Sequence, residues 1–370
     1  MTLRYGIIGS GMMGQEHMRN IALLPDCKVT AVSDPDAGMR EMAQKLAGDG
    51  CAAFAHHREL LDSGLCDALV IAAPNHLHHS ILKDVLRSDI PILVEKPLCT
   101  TVEHCREILA LASGRKAPVW VAMEYRYMPP LTRLALKLNA GEAGTVRMMT
   151  IREHRYPFLK KVGDWNRFNE NTGGTLVEKC CHYFDLMRLL IQSEPVRIYA
   201  SAGMDVNFLD EAYDGRKPDI IDNAFVIVDF ANGVRAMLDL CMFSEGVYWQ
   251  EEICVTGDLA RIDARIPGPA RFSADGKERL SEVAVSVRAT KQVTTEAVEV
   301  DETILAAGDH HGSTFYQHER FRRLVLEGGT PEVGLKEGIL AVAMGAAAEA
   351  SARTAQAIEF DQWLKGSGNG

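Results

Sequence analysis

The 370-residue sequence lacks several features that mark specialised classes of protein. Its nine cysteines are an odd number and none are spaced C-x-x-C, so neither a zinc site nor a disulfide framework is indicated. We therefore expect free thiols and a reducing compartment. No apolar run approaches the ~20 residues of a membrane span, and no basic stretch with a cleavage site opens the chain. These absences favour a cytoplasmic protein with no membrane partner.

Long blocks of charge of one sign are also missing, although the formal net charge is -10. A dispersed acidic surplus argues against nucleic acid as a partner, which leaves a small molecule as the expected ligand. Hydrophobic residues make up 47% of the chain, enough for a large core. The length favours two domains.

The first apolar stretch runs into a turn rich in glycine. Residues 3–8 predict a strand, residues 9–14 read Gly-Ser-Gly-Met-Met-Gly, and a helix and a second strand follow. In such a unit the glycines allow a tight turn, close approach of the backbone to a pyrophosphate, and close packing of the helix on the sheet. The helix N-terminus then faces the anion. The residues expected to line this cofactor site are Gly9, Gly11, Met12, Met13 and Gly14.

An acid, Asp34, follows the second predicted strand. A carboxylate there accepts hydrogen bonds from the adenosine ribose and repels a 2′-phosphate, which favours NAD over NADP. Arg40 nearby favours NADP instead, because a guanidinium can bind the 2′-phosphate. We expect NAD as the cofactor.

The predicted strand at 68–72 is followed by Pro-Asn-His-Leu-His-His, at the edge where ligands of parallel sheets bind. Of these residues, Pro74, Asn75 and His78 are expected to line the cofactor cleft. Three histidines in four residues also suggest a metal site, but no cysteine or acid at metal-ligand spacing accompanies them. No metal is expected.

The predicted strand at 92–94 leads into Glu95-Lys96-Pro97. Proline ends the strand and keeps the preceding backbone extended, so Lys96 should project from the ligand-binding edge beside Glu95. A surface salt bridge between the two is the alternative. The alternation of strands and helices ends near residue 123, which predicts domains at 1–123 and 124–370.

Near the middle of the chain, two glycines and Thr175 predict the start of a helix that runs to Ile191. This helix is mostly apolar and should be buried. Glu178, His182 and Asp185 fall at i, i+4 and i+7, which places three titratable groups on one stripe of the helix. An acid and a histidine that satisfy each other in a core would give the same pattern.

Before this helix, a predicted strand at 146–152 ends in basic residues and leads into an aromatic loop. Arginine binds carboxylate, sulfonate or phosphate through a planar fork, so this segment could hold an anionic group of a substrate. A solvated loop is the alternative. The candidate substrate contacts in this region are Arg152, His154, Arg155 and Trp165.

The rest of the second domain predicts an antiparallel sheet, with Asn232-Gly233 as a hairpin turn. Residues 203–222 and 257–300 are polar and predict loops and edge strands. His310 and His311 precede a long helix and could contact substrate or cap the helix. The alanine-rich helix at 335–354 has no polar stripe and should be structural.

These motifs, taken in order, resemble those of the glucose-fructose oxidoreductase, inositol dehydrogenase and MocA family over nearly the whole chain. They are Gly9/Gly11/Gly14, Pro74-Asn75-His76-x-His78, Glu95-Lys96-Pro97, Tyr125-Arg126-Tyr127-x-Pro129, and Gly173-Gly174 through His182-x-x-Asp185. The resemblance implies an α/β protein with an N-terminal Rossmann doubly wound parallel sheet and a C-terminal α/β domain with a largely antiparallel open sheet. It also implies a homo-oligomer, dimer or tetramer, through the C-terminal sheet.

By resemblance, Lys96, His182 and Asp185 are catalytic, and Arg126 and Lys179 join the substrate contacts. Two positions depart from the family pattern: Glu178 stands where aspartate is common and Cys180 where glycine is usual. The pocket shape, and hence the sugar, does not follow from the analogy.

We expect NAD-dependent oxidation of a secondary hydroxyl of a sugar or cyclitol. His182 would remove the proton, Asp185 orient the imidazole, Lys96 stabilise the alkoxide, and Glu178 bind a neighbouring hydroxyl. Two alternatives remain: redox-neutral hydrolysis of an anionic glycoside, favoured by the basic residues, and a non-catalytic NAD-binding regulator.

Overall fold

The computed structural model describes residues 2–366. Its contacts divide the chain into two compact units. The first comprises Met1–Tyr127 and Val300–Val342, and the second Met128–Glu299 and Ala343–Gly370. The predicted boundary near residue 123 thus lies close to the first crossing, but a single boundary does not describe the return of residues 300–342 to the first unit.

The first unit contains a six-stranded sheet in the order β3-β2-β1-β4-β5-β6, with every neighbouring pair parallel. Its strands are β1 (Leu3–Ile8), β2 (Cys27–Ser33), β3 (Ala52–Phe54), β4 (Ala68–Ile71), β5 (Ile92–Glu95) and β6 (Val119–Ala122). All residues of β4, β5 and β6 are buried, as expected when helices cover both faces of a parallel sheet. The predicted doubly wound sheet is confirmed, although the short β3 was not predicted.

The second unit contains a nine-stranded sheet in the order β14-β13-β12-β11-β7-β10-β9-β8-β15. Its strands are β7 (Val146–His154), β8 (Pro195–Gly203), β9 (Asn223–Phe230), β10 (Arg235–Cys241), β11 (Trp249–Gly257), β12 (Ala260–Pro267), β13 (Ser281–Val287), β14 (Val293–Val298) and β15 (Ile358–Glu359). Only the pairing of β10 with β7 is parallel, so the largely antiparallel sheet is confirmed. The segment 257–300, expected to be loops and edge strands, contributes two interior strands, β12 and β13.

Thirteen α-helices occur among residues 2–366. They are α1 (Met12–Ala22), α2 (Ala37–Ala47), α3 (His57–Asp62), α4 (His78–Val85), α5 (Val102–Leu111), α6 (Pro129–Asn139), α7 (Asn169–Thr172), α8 (Thr175–Glu178), α9 (Cys181–Ile191), α10 (Glu302–Ala306), α11 (Ser313–Glu327), α12 (Leu335–Thr354) and α13 (Phe360–Gly366). None of them is long and apolar enough to cross a membrane. All nine cysteines are free thiols, as predicted.

The two faces of the nine-stranded sheet differ. Along β9, Ala224, Val226 and Val228 are buried, whereas Phe225 and Ile227 are 58% and 46% exposed. Strict alternation of this kind covers one face with helices and leaves the other open. The open face therefore carries large apolar side chains.

Candidate functional site

In the first unit, the turn between β1 and α1 requires glycine at two positions. Gly9 has a φ of +93°, and a Cβ there would lie 2.6 Å from the backbone nitrogen of Ala73. A Cβ on Gly14 would lie 2.1 Å from the carbonyl oxygen of Gly9. At Gly11, by contrast, a Cβ would meet nothing within 4 Å. The turn is thus packed tightly against β4 and α1 but leaves open space at its middle glycine, as a bound pyrophosphate requires.

Polar atoms beside this turn fit a dinucleotide. The Ser10 hydroxyl and the Asn75 amide nitrogen are buried and have no hydrogen-bond partner within residues 2–366. They follow β1 and β4, neighbouring strands at which the strand order reverses. Met12 is 54% exposed at the start of α1, and Met13 is half-buried. Pro74, directly before Asn75, is half-buried at the same edge.

Asp34 is fixed by the backbone at the end of β2. Its Oδ2 accepts the Ser10 N–H at 2.8 Å, and its Oδ1 accepts the Asp36 N–H at 3.0 Å. The Arg40 guanidinium donates to the carbonyl oxygens of Asp34 and Pro35, at 2.6 Å and 2.9 Å. Asp34 is therefore oriented beside the glycine turn, with remaining lone pairs that can accept ribose hydroxyls.

Glu95 and Lys96 end β5 in different environments. Glu95 is 4% exposed; its Oε1 contacts His17 Nε2 at 2.9 Å, and its Oε2 accepts the Lys96 N–H at 3.1 Å. Burial raises the pKa of Glu95, but the hydrogen bond from His17 and the charge of Lys96 outweigh burial and lower the pKa. Lys96 is half-buried. The alternative prediction, a surface salt bridge between Glu95 and Lys96, does not fit a glutamate that is buried and bonded to these partners.

His78 does not face an open cleft, contrary to the expectation that it lines the cofactor site. It is fully buried, and its ring nitrogens lie 2.8 Å and 2.9 Å from the carbonyl oxygens of Pro97 and Ala73. Burial lowers the pKa of His78. Its ring thus packs between the segments that follow β4 and β5 and contacts the backbone of both. Within residues 2–366, no group of three or more histidine, cysteine or acidic side chains could hold a metal ion.

His310 is tied to an acid that the sequence analysis did not single out. Its Nδ1 donates to Oε1 of Glu16 at 2.8 Å, and the hydroxyl of Thr314 donates to the same oxygen at 2.8 Å. Burial raises the pKa of Glu16, but these two partners prevail and lower it to about 2. His311 is half-buried and adopts a left-handed backbone, with a φ of 51°. Arg126 donates to the carbonyl oxygen of Glu332 at 3.2 Å.

In the second unit, the predicted continuous helix from Thr175 to Ile191 is wrong. It is broken into α8 and α9 between Lys179 and Cys180. Thr175 makes no capping bond, because its hydroxyl donates to the carbonyl oxygen of Ile221 at 2.7 Å. Two helices therefore present the candidate catalytic residues.

The start of α8 is held by α12. Glu349 accepts the Leu176 N–H at 2.9 Å, in the role predicted for Thr175. Burial raises the pKa of Glu349 to about 7. A Cβ on Gly345 would lie 2.5 Å from the carbonyl oxygen of Leu176, so the close packing predicted for this alanine-rich helix is confirmed. The signal for Glu349 was an acid that follows an uninterrupted apolar run in this helix, residues 339–348.

Glu178, His182 and Asp185 are all buried, with exposures of 3%, 2% and 0%. His182 and Asp185 lie three residues apart on α9 and so share a face. Glu178 is the last residue of α8 and precedes the break. The predicted stripe therefore lies on a single helix only for His182 and Asp185.

Lys179 lies at the break and binds an acid that the sequence analysis missed. Its Nζ is 2.9 Å from Oε1 of Glu153, which also lies 3.4 Å from the Arg155 guanidinium. Glu251 on β11 stands opposite Glu153 in the sheet and is 2% exposed. Burial, followed by the charge of Glu153, raises the pKa of Glu251 to about 7. Two cations and two acids therefore share one buried cluster.

Arg152 and His154 lie on the other face of β7 from Glu153, so the structure does not gather the three predicted bases. The strand continues to His154, and alternation turns these two side chains to the open face. Arg152 pairs with Glu252, and His154 lies 3.1 Å from Asp239. A strand two residues longer than predicted is the reason.

Trp165 lies in the aromatic loop, which contains a 3₁₀ segment, Val162–Arg167. Its ring is half-buried, and the Lys161 ammonium lies over this ring, 4.9 Å from the centroid. Arg167 at the end of this segment is 2% exposed and binds Glu211 at 2.8 Å. The loop is therefore anchored by an ion pair between a buried arginine and a partly exposed glutamate.

Comparison with known proteins identifies the architecture. The model of an oxidoreductase family with an NAD-binding Rossmann fold matches residues 3–123, and the model of its C-terminal alpha/beta domain matches residues 136–360. Levoglucosan dehydrogenase, solved with NADH and levoglucosan, has a TM-score of 0.80 at 17% identity, covering 97% of this chain and 100% of that one. This likeness concerns the fold.

Two relatives are similar in sequence. The rhizopine catabolism protein MocA of Rhizobium meliloti is 30% identical over 192 residues, 52% of this chain and 58% of that protein. Inositol 2-dehydrogenase 1 of Saccharopolyspora erythraea is 26% identical over 282 residues, 75% of this chain and 78% of that enzyme. Because the C-terminal model alone spans more than half of the chain, the protein belongs to the Gfo/Idh/MocA oxidoreductase family and carries its NAD-binding Rossmann domain.

Proposed function

We propose that the protein oxidises a secondary hydroxyl of a neutral sugar or cyclitol and passes the hydride to NAD. The observation that carries this proposal is the burial of His182 and Asp185 on one face of an otherwise apolar α9. Buried titratable pairs in a cofactor-dependent enzyme are candidates for acid–base work. The inositol dehydrogenases among the relatives support the substrate class.

Each residue has a separate role in the proposed reaction. His182 accepts the proton of the hydroxyl, and Asp185 holds the imidazole in the productive orientation. The Lys96 ammonium stabilises the developing alkoxide. Glu178 accepts a hydrogen bond from a neighbouring hydroxyl. Bound NAD supplies the hydride acceptor at its nicotinamide.

The second unit favours a neutral substrate. Lys179 and Arg155, which could have bound an anion, both already contact Glu153. Glu251 adds a further acid to this cluster. An anionic substrate would have to displace an existing buried ion pair, which costs free energy. Arg152 and His154 pair with acids on the open face, so these two residues do not support the glycoside hydrolase alternative.

A panel assay tests the proposal. The protein and NAD are incubated with myo-inositol, other polyols, neutral sugars, and matched sugars in which a carboxylate replaces the hydroxymethyl group. NADH formation and aglycone release from charged glycosides are both followed. NADH with a neutral polyol is the expected result. Aglycone release without NADH, or a preference for the carboxylated sugar, would contradict it.

We also propose that the open face of the nine-stranded sheet pairs with a second copy of the chain. Exposed Tyr199, Phe225 and Ile227 lie on β8 and β9, and Tyr199 is directly opposite Ile227 in register. A contiguous apolar patch of this kind marks an interaction surface. Phe225→Asp should therefore lower the oligomeric state measured by light scattering, whereas Leu136→Asp, at an exposed position on α6, should not. An unmutated protein that is monomeric at assay concentration would contradict the proposal.

A further inference from the structure

Two histidines are buried side by side in the first unit, 301 residues apart in sequence. His17 on α1 and His318 on α11 are both 0% exposed. Nδ1 of His17 lies 2.8 Å from Nε2 of His318, and Nε2 of His17 lies 2.9 Å from Oε1 of Glu95. The three side chains form one line of hydrogen bonds that ends beside Lys96.

The partners along this line fix the position of each proton. A charged Glu95 can only accept, so His17 must carry its proton on Nε2. If His17 is neutral, its Nδ1 accepts, and His318 must donate from Nε2. That leaves Nδ1 of His318 as a bare lone pair, and this atom is buried with no hydrogen-bond partner within residues 2–366.

The other arrangement is less favourable. If His17 carried protons on both nitrogens, its Nδ1 would donate to Nε2 of His318. His318 would then hold its proton on Nδ1, where no acceptor is described. A buried N–H without an acceptor is rarer in proteins than an acceptor without a donor. Burial lowers the pKa of His318 well below its usual value, which agrees with a neutral ring.

We infer that His318 and His17 act as positioning residues, which keep Glu95 oriented as a carboxylate and thereby hold Lys96 in place to stabilise the alkoxide. Both oxygens of Glu95 are used: one faces His17, and the other accepts the Lys96 N–H at 3.1 Å. Rotation of this carboxylate would release the backbone that carries Lys96. The inference rests on the proposed role of Lys96 in catalysis.

Other charged and titratable groups also act on Glu95. They are Lys96 itself, His78 on α4, and Glu124 in the 3₁₀ turn after β6. Burial, and then the charge of Glu95, raises the pKa of Glu124 to about 7. A pH profile therefore has to be compared between variants and not read from the unmutated protein alone.

Two substitutions at one position separate hydrogen bonding from packing. Gln places an amide N–H near the position of the histidine Nε2, so His318→Gln keeps a donor to His17, whereas His318→Leu removes it. His104→Leu is the matched control, because His104 lies on α5 in the same unit, where its ring stacks on that of His79 with centroids 4.0 Å apart. Each variant is assayed with NAD and the fastest polyol of the panel.

We expect His318→Leu to lower kcat about tenfold, below the ~10²-fold cost of losing an acid–base group itself. The KM for NAD should change less than twofold, and His318→Gln should recover most of the rate. His17→Leu should move the acid limb of the kcat profile to higher pH, because a carboxylate that loses its donor binds a proton more readily. An unchanged kcat in His318→Leu, equal losses in Leu and Gln, or the same loss in His104→Leu would overturn the inference.

A measurement on the unmutated protein needs neither turnover nor a folded variant. In protein labelled with ¹⁵N-histidine and saturated with NAD, both rings should be neutral at pH 7 with the proton on Nε2. An imidazolium at either position, or a proton on Nδ1 of His318, would overturn the inference. If no polyol is oxidised but these ring states are found, the proposed function fails and the hydrogen-bond line stands.

Discussion

Glu95 in the first unit and Glu251 in the second are buried to similar extents, 4% and 2% exposed, yet their pKa values move in opposite directions. Both oxygens of Glu95 have donors, from His17 and the Lys96 backbone. One oxygen of Glu251 accepts the Gln250 amide at 2.9 Å, and the other has no partner within residues 2–366. Burial alone therefore does not decide whether a carboxyl is charged; the donors around it do.

This contrast in pKa implies different roles for Glu95 and Glu251. A carboxylate held charged beside Lys96 orients that lysine and complements its charge at any pH near neutrality. A carboxyl that titrates at about 7 beside Glu153 instead makes the second unit sensitive to pH. The variants below remove one feature of this comparison at a time.

The largest effect is expected from Lys96→Ala, which removes the cation beside Glu95. Turnover should fall ~10²-fold or more, since a group that stabilises the alkoxide is lost. NAD affinity and thermal stability should stay near the unmutated values. Steady-state kinetics, cofactor titration and thermal unfolding measure the three quantities.

Lys83→Ala is the control for Lys96→Ala. Lys83 lies on α4 in the same unit and pairs with Glu107 at the surface, so its loss should leave turnover unchanged. If Lys96→Ala retained most of its turnover, Lys96 would be only a structural partner of Glu95. The proposed reaction would then lack the group that stabilises the alkoxide.

A smaller effect, on stability, is expected from Glu251→Gln. The folded pKa of about 7 lies above the ~4.3 of an unfolded glutamate, so the native state binds the extra proton between these values. The stability associated with this proton is complete below pH ~4.3 and is lost as pH rises through about 7, by roughly 4 kcal/mol. Gln cannot ionise, so Glu251→Gln should gain stability over the unmutated protein between pH 5 and pH 8.

Glu252→Gln is the control for this pH effect. Glu252 is the next residue on β11 but faces Arg152 on the open side of the sheet. Denaturant unfolding at several pH values should give a constant offset for Glu252→Gln and a growing difference for Glu251→Gln. Parallel curves for all three proteins would mean that Glu251 is charged in the fold. Glu124 and Glu349 titrate in the same window, so the differences between proteins carry the result.

Local pattern predicted much of the fold. The buried runs of β4 and β5, the glycine turn and α12 each have a signature within a few residues: an apolar run for each strand, the glycine spacing for the turn, and the alanine content for the helix. The family resemblance then joined motifs far apart in the chain. These features are set by short-range chemistry.

Pairings between distant segments could not be predicted in this way. His17 and His318, or Leu176 and Glu349, meet only because the chain returns to each unit late in the sequence. The break after Lys179 has no glycine or proline to announce it. No periodicity in a single sequence encodes such contacts, and the candidate site depends on them.

Asp34 offers the finest test, because it is a third acid whose donors are both backbone amides, those of Ser10 and Asp36. These amides orient the carboxylate, so it can accept ribose hydroxyls and repel a 2′-phosphate. Asp34→Ala should weaken NAD binding about tenfold, as the loss of one charge-assisted hydrogen bond implies. NADP binding should hold or improve, since Arg40 stays close to this position. Asp36→Ala removes an equal charge two residues away, where the side chain caps α2 through the Met39 N–H. Titration of both cofactors into the three proteins should narrow the NAD preference only in Asp34→Ala; equal affinities in the unmutated protein would show that the oriented carboxylate does not select the cofactor.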